Sequence, residues 1–182
     1  MSYFTRSRVV MSLALVAAII AGLYVGRALR ARTHSVVEPP PFPFKTGETM
    51  PDVALLDSLG TTVQLSALVQ PHGAVVLFLD PECDGCTAMS TRWESALAEG
   101  TVGVVNVFGI SRAPAATTQP YRAAHHLSYP IYQDANDAFL GQYGLASYPL
   151  EVVVGRSGTV RSVSDNSVSP IDAAAIEHML AE

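Results

Sequence analysis

Cysteine is scarce in this chain: only Cys83 and Cys86 occur, three residues apart. That spacing excludes a disulfide framework stapling distant elements, the device that holds many small secreted domains together. Positive charge is also in deficit, with 11 Lys and Arg against 16 Asp and Glu and a formal net charge of -5. The acidic groups are dispersed and no basic stripe runs along the chain, so the charge that neutralises nucleic-acid phosphates is missing. Internal repeats and long low-complexity runs are absent too, and 182 residues are read as one ordinary domain preceded by an N-terminal segment. What the two cysteines leave open is a local redox pair or half of a metal site.

Charge is absent again from Val9 to Gly26, VVMSLALVAAIIAGLYVG. As a helix rising about 1.5 Å per residue this stretch approaches the roughly 30 Å hydrocarbon core of a bilayer. Arg6 and Arg8 precede it and Arg27, Arg30 and Arg32 follow, so the positive-inside count is divided and does not orient the span. A cleaved signal has an apolar region of about 7–15 residues and a small-x-small site. Here the run is longer and only ALRA and ARTHS follow, so residues 1–32 are expected to be an uncleaved membrane anchor with flanking arginines. Glu38 to Lys45, EPPPFPFK, favours extended polyproline geometry, so residues 33–46 read as a Pro-rich tether, either stiff or, the reading preferred for a single short proline cluster, a disordered linker without a binding role. Residues 47–182 are the globular part.

Within it, Val53 to Leu56 and Thr61 to Leu65 flank the polar turn Asp57-Ser58-Leu59-Gly60 and predict a hairpin, after which Ser66 starts a short turn or helix. Ala74 to Leu79, AVVLFL, is a continuous apolar run of strand length, expected as a central strand covered on both faces and ended by Asp80-Pro81. From Cys83 the apolar residues Cys86, Met89, Trp93, Ala96 and Leu97 recur at three- and four-residue steps, predicting a helix that opens on the cysteine pair and runs to Gly100. Val102 to Ile110 predicts a second buried strand and Ala113 to His126 a helix disturbed by Pro120. Pro130 to Gln133 reads as a short extended piece and Asn136 to Tyr143 as helical. Leu150 to Val154 and Thr159 to Val163, joined by Gly155-Arg156-Ser157-Gly158, form a hairpin, and Ser169 to Leu180 a terminal helix. Strands alternating with helices indicate an α/β layered domain with helices covering a mixed sheet.

Cys-Asp-Gly-Cys at a strand-to-helix junction is the most specific local signal. The helix start offers the first sulfur unpaired amides and a positive dipole end, which stabilise the thiolate that attacks disulfides. A second cysteine three residues on is close enough to resolve the mixed disulfide. A purely structural disulfide would close too small a loop to stabilise much, and zinc would need further ligands that the adjacent His125 and His126 do not supply on one helix face. Glu82 and Asp84 flank Cys83; their like charge disfavours the thiolate, so the pair is expected to be more reducing than one enclosing a Pro-His dipeptide. Asp80 is a candidate for proton transfer to Cys86, but an Asp before Pro reads first as a turn residue. Met89 and Trp93 follow the apolar stripe and read as helix core.

FLDPECDGC, for a strand and active-site turn, and ASYPLEVVVGRSGTV, for a later turn and hairpin, resemble the thioredoxin superfamily, specifically its anchored TlpA/ResA-like members. GETMPDVALLDSLGTTVQLSAL resembles the additional N-terminal hairpin of that group, and the likeness covers roughly Lys45 to the C-terminus. The resemblance implies a thioredoxin-like fold, a central mixed sheet flanked by helices, with an N-terminal hairpin and a central helix-strand insertion between Ala113 and Gln133. It implies a cis-proline at Pro149, preceded by Tyr148, facing the redox pair and presenting backbone to an extended substrate. It further implies that the domain lies on the periplasmic side of the cytoplasmic membrane. There its partners would be exported protein thiols or disulfides and a membrane or periplasmic electron donor. No cofactor beyond the Cys83–Cys86 pair and no resident metal are expected. Two positions depart from the group: Glu82 stands where it usually has Trp, and Met89 where many members carry Glu.

Two other readings share the fold. A Cu(I)-binding chaperone would use Cys83, Cys86 and Met89 as soft ligands, although the cysteine spacing and distal His of such proteins differ from this pattern. A thiol peroxidase is suggested by GETMPDVALLD, which also resembles peroxiredoxins; Asp80-Pro81-Glu82 lacks the Thr that those proteins set before the reactive cysteine.

Overall fold

The computed structural model describes residues 43–100, 102, 105–145, 148–165 and 172–181. The expected anchor and the tether as far as residue 42 lie outside them. Among the described residues no helix is long and apolar enough to cross a membrane.

The architecture is built on β3 (Ala74–Phe78), whose five residues AVVLF are all buried. A strand with no polar side chain on either face must be covered on both. It pairs in parallel with β4 (Val107–Ser111) and antiparallel with β6 (Leu150–Val154), which continues as a hairpin into β7 (Val160–Ser164). The expected N-terminal hairpin is β1 (Ala54–Leu56) with β2 (Thr62–Gln64); its turn is tied by Asp57 Oδ1, which accepts the Leu59 and Thr61 amides at 2.8 Å each. β5 (Ile131–Gln133) joins β4 in parallel and meets β1 through Leu56 and Gln133. The result is one seven-stranded mixed sheet in the order β2-β1-β5-β4-β3-β6-β7.

Alternation along the strands divides the core in two. Val76 and Phe78 face a layer that includes Phe44, Phe108, Phe139, Leu150 and α1 (Leu65–Val69). Phe44 stacks on Phe78 at 5.5 Å between ring centroids, and Phe139 meets Phe78 edge-on at 4.9 Å. Val75, Leu77 and Leu79 face α2 (Asp84–Ala98), through Cys86, Met89 and Trp93, together with α4 (Ala173–Ala181), through Ile176 and Leu180. Tyr121 of α3 (Ala115–Ala124) closes this layer and reaches Ser90 Oγ with its hydroxyl at 3.2 Å. The fold is thioredoxin-like, and α3 with β5 forms the helix-strand insertion.

Several boundaries move. The strand expected over Val102 to Ile110 is described from Val107; just before it, Asn106 O accepts the Val75 amide at 2.8 Å while its side-chain amide donates to Leu68 O at 2.6 Å and Gly73 O at 3.5 Å. α3 starts after Pro114, since Ser111 Oγ takes the Ala113 amide into a turn, and it runs through Pro120 without ending. The segment expected to be helical from Asn136 is a π-helical turn, Ala138–Gln142. It is set by Asp134, a buried carboxylate whose two oxygens accept the Ala138 and Phe139 amides at 2.9 Å each. The terminal helix is described from Ala173, and its expected start at Ser169 lies outside the described residues.

Asp134→Ala leaves two buried amides without their acceptor, each worth about 1–3 kcal/mol. It is expected to lower unfolding free energy by about 2 kcal/mol or more in urea titration; a midpoint equal to that of the parent chain would show that the turn does not need this cap.

Candidate active site

The site forms where β3 ends. Asp80 makes the turn: its Oδ1 accepts the Glu82 amide at 2.9 Å and its carbonyl accepts the Cys83 amide at 3.1 Å. Cys83 is then the N-cap of α2, with extended backbone at φ -101° and ψ 114°. Its Sγ accepts the Cys86 amide at 3.1 Å, the place an oxygen cap usually takes, and its carbonyl accepts the Cys86 and Thr87 amides at 3.0 and 3.2 Å. Cys83 and Cys86 are joined as a disulfide across a Cα separation of 5.2 Å. Cys86 is fully buried, with its Sγ accepting the Asp80 amide at 3.4 Å, whereas Cys83 is half-buried. Cys83 is therefore the more accessible of the two.

Tyr148 and Pro149 enter β6 beside it, with the Tyr148-Pro149 peptide cis. Gly85 explains how close the two segments come: a Cβ there would stand 3.1 Å from Pro149 Cδ and 3.9 Å from Cys83 Sγ. Glycine at the third position of the Cys-Asp-Gly-Cys turn thus lets the Pro149 ring lie against the helix start. Tyr148 packs against both core layers, and burial pushes its phenol up to about 12; Arg112 opposes that shift while Asp80, Asp134 and Asp137 add to it. Arg112 is itself paired with Asp137, at 2.8 Å from Nε and 3.1 Å from the terminal nitrogen.

Glu82 and Asp84 are exposed on either side of Cys83, Asp84 being the first residue of α2. All seven residues singled out from the sequence, Asp80, Glu82, Cys83, Asp84, Cys86, Tyr148 and Pro149, therefore gather at the end of the sheet formed by the C-terminus of β3 and the start of β6. Met89 and Trp93 are buried in the core beneath. Among the described residues no three His, Cys, Asp or Glu side chains converge as metal ligands. Sequence reasoning passed over Gly85, the Arg112–Asp137 pair and Glu151. The last carried a legible signal, a single charge inside the apolar run Leu150–Val154.

A family model described as AhpC/TSA matches residues 46–163. The chain belongs to the AhpC/TSA family. A Mycobacterium tuberculosis protein named "Putative peroxiredoxin MT1643" is 31% identical over 103 residues, which span 56% of this chain and 66% of that protein, just under two thirds of its length. Among solved structures, peroxidoxin BcpB from Mycobacterium tuberculosis superposes with a TM-score of 0.63 at 23% identity, over 75% of this chain and 96% of the other. A secreted disulfide oxidoreductase of the same organism, described as homologous to E. coli DsbE, superposes with a TM-score of 0.55 at 21% identity, over 71% and 95%. This AhpC/TSA chain is thus a thioredoxin-like protein of the class that holds both thiol-disulfide oxidoreductases and peroxiredoxins, with a disulfide-bonded Cys-x-x-Cys pair at the end of its central strand.

Two expectations follow from the charges. Removing the carboxylates that oppose the Cys83 thiolate, in Glu82→Gln with Asp84→Asn, should lower the Cys83 thiol pKa and make the pair more oxidising. Thiolate absorbance against pH and equilibration with glutathione measure both, and unchanged values would mean that the two carboxylates are screened by water. Tyr148 bears on alkaline stability. Its phenol stays protonated in the fold where the unfolded chain ionises near 10.0, so stability falls as pH rises from about 10 toward about 12. Tyr148→Phe should lessen that loss, seen as a smaller drop in the urea midpoint between pH 9 and pH 11.

Proposed function

We propose that this protein is a membrane-anchored, extracytoplasmic thiol-disulfide oxidoreductase that reduces disulfides of exported proteins, of the kind needed in cytochrome c or metalloenzyme maturation. The observation that carries the proposal is the asymmetry of the pair, with Cys83 accessible and capping a helix while Cys86 is buried behind it. In the reduced protein the Cys83 thiolate attacks one sulfur of the substrate disulfide, and the other leaves as a thiolate that takes up a proton. The Cys86 thiolate then displaces the second substrate thiol from the mixed disulfide. Two electrons have moved, the substrate holds two thiols and Cys83–Cys86 is a disulfide, which a dithiol donor on the same side of the membrane reduces again. Tyr148 and Pro149 supply the backbone edge along which an extended polypeptide lies. The uncharged run from Val9 to Gly26 supports the anchor.

A thiol peroxidase is the second reading, favoured by the relative named as a peroxiredoxin. Against it, the residue three before Cys83 is Asp80, whose carboxylate is engaged with the Glu82 amide and offers no hydroxyl to a peroxide.

The detergent-solubilised full chain, supplied with dithiothreitol, should reduce a disulfide-bonded protein, and Cys83→Ser should abolish this. In cells, Cys86→Ser should accumulate mixed disulfides through Cys83, and the wild-type chain should stay in the membrane through alkaline carbonate extraction. Peroxide consumption outpacing protein-disulfide exchange would overturn the reading in favour of a peroxidase.

A further inference from the structure

Glu151 is a charged residue on the inner face of an otherwise apolar strand, LEVVV. Residues 149, 151 and 153 share one face of β6 because side chains alternate along a strand. Val153 belongs to the layer that holds Cys86, Met89 and Trp93, while Leu150, Val152 and Val154 belong to the opposite layer. Glu151 therefore projects toward α2, and its side chain is only 13% exposed. There its Oε2 accepts the indole N–H of Trp93 at 2.7 Å and a guanidinium N–H of Arg92 at 3.2 Å. A carboxylate so placed costs desolvation, and its removal from one side only would strand a buried donor.

We infer that Glu151 is a positioning residue for disulfide exchange: by gripping Trp93 and Arg92 it holds the redox helix in register over Pro149, and so sets where a polypeptide substrate meets Cys83. The inference rests on the oxidoreductase reading above and adds a residue to it.

The geometry is that of a two-point mount. Pro149 meets the first turn of α2 at Gly85, and Glu151, the next residue on the same face, meets the third turn at Arg92 and Trp93. Those points lie about 12 Å apart along the helix at 1.5 Å per residue. The Pro149 contact and the core packing of Cys86, Met89 and Trp93 hold the helix on the sheet but are apolar and non-directional. The Glu151 bonds are charge-assisted and directional, and they add a fixed register to that packing. A small disulfide needs only an accessible Cys83 thiolate. A polypeptide disulfide must also lie along the backbone at Pro149, so its attack depends on the spacing between the helix start and that edge.

The test compares the reduced full chain in detergent with Glu151→Leu, Trp93→Phe and Glu151→Gln. Rates are measured with a disulfide-bonded peptide and with 2-hydroxyethyl disulfide, a small neutral probe. Glu151→Leu and Trp93→Phe are expected to lower the ratio of peptide rate to small-disulfide rate about 10-fold, within the range that sub-ångström to ångström misplacement costs. Glu151→Gln keeps an acceptor for the indole N–H and should restore the ratio to within about threefold of the parent chain. Trp93→Phe removes the donor together with the pyrrole half of a fully buried indole, so only a loss confined to the peptide substrate, with the small-disulfide rate retained, lets it carry the test should Glu151→Leu not fold. A ratio unmoved by both variants, or equal loss on both substrates, overturns the inference. A parent chain that reduces neither disulfide overturns the oxidoreductase reading instead, and this inference with it.

Discussion

Cys83 Sγ accepts the Cys86 amide at the first turn of α2, and nearly every layer of the fold contributes to keeping that contact in place. The sulfur can cap the helix only if the chain turns sharply out of β3, which the Asp80 carboxylate and carbonyl arrange by taking two successive amides. The turn is held because β3 is buried on both faces, and α2 stays over the sheet because Met89 and Trp93 fill the layer beneath it. A disulfide closed across two cysteines three apart adds little to stability. The dependence runs the other way: the core stabilises a local geometry in which one sulfur is presented and the other withheld.

The elements legible in the sequence were those whose signal is local and whose environment is uniform. AVVLF could be read as a central strand because burial on both faces leaves no polar residue, and α2 because its apolar stripe coincides with the face that packs. The β6–β7 hairpin was readable from Gly155 and Gly158 at its turn. Boundaries failed where one polar side chain, bonding to a distant segment, overrode an apolar pattern. The Asn106 side chain ties the entry of β4 to Leu68 and Gly73, and Asp134 organises a π-helical turn that periodicity reads as ordinary helix. Nothing in a linear pattern announces which backbone groups such a side chain will meet.

The candidate site divides along the same line. Cys83, Cys86 and their flanking acids form one short segment, so their chemistry could be argued from adjacency. Pro149 is distant in the chain although it enters β6, the neighbour of β3, and its position opposite the pair was accessible only through family likeness. Gly85, Arg112, Asp137 and Glu151 act through contacts with residues 25 to 64 positions away, and the sequence carries for them only faint cues, such as a lone Glu among valines.

That division has a physical consequence for how such a domain is tuned. The disulfide form of the pair is uncharged, so Glu82 and Asp84 act almost wholly on the reduced form, where Cys83 has a thiolate to repel. Changing them is expected to move the potential without repacking anything, because both side chains are exposed. The contacts at Pro149 and Glu151 instead join α2 to β6 and its entry, and in the proposed exchange they bear on an extended substrate rather than on the thiolate. On the proposed function, potential would be governed by residues adjacent in the chain and substrate geometry by residues adjacent only in the fold. In the proposed exchange the two properties can therefore vary independently.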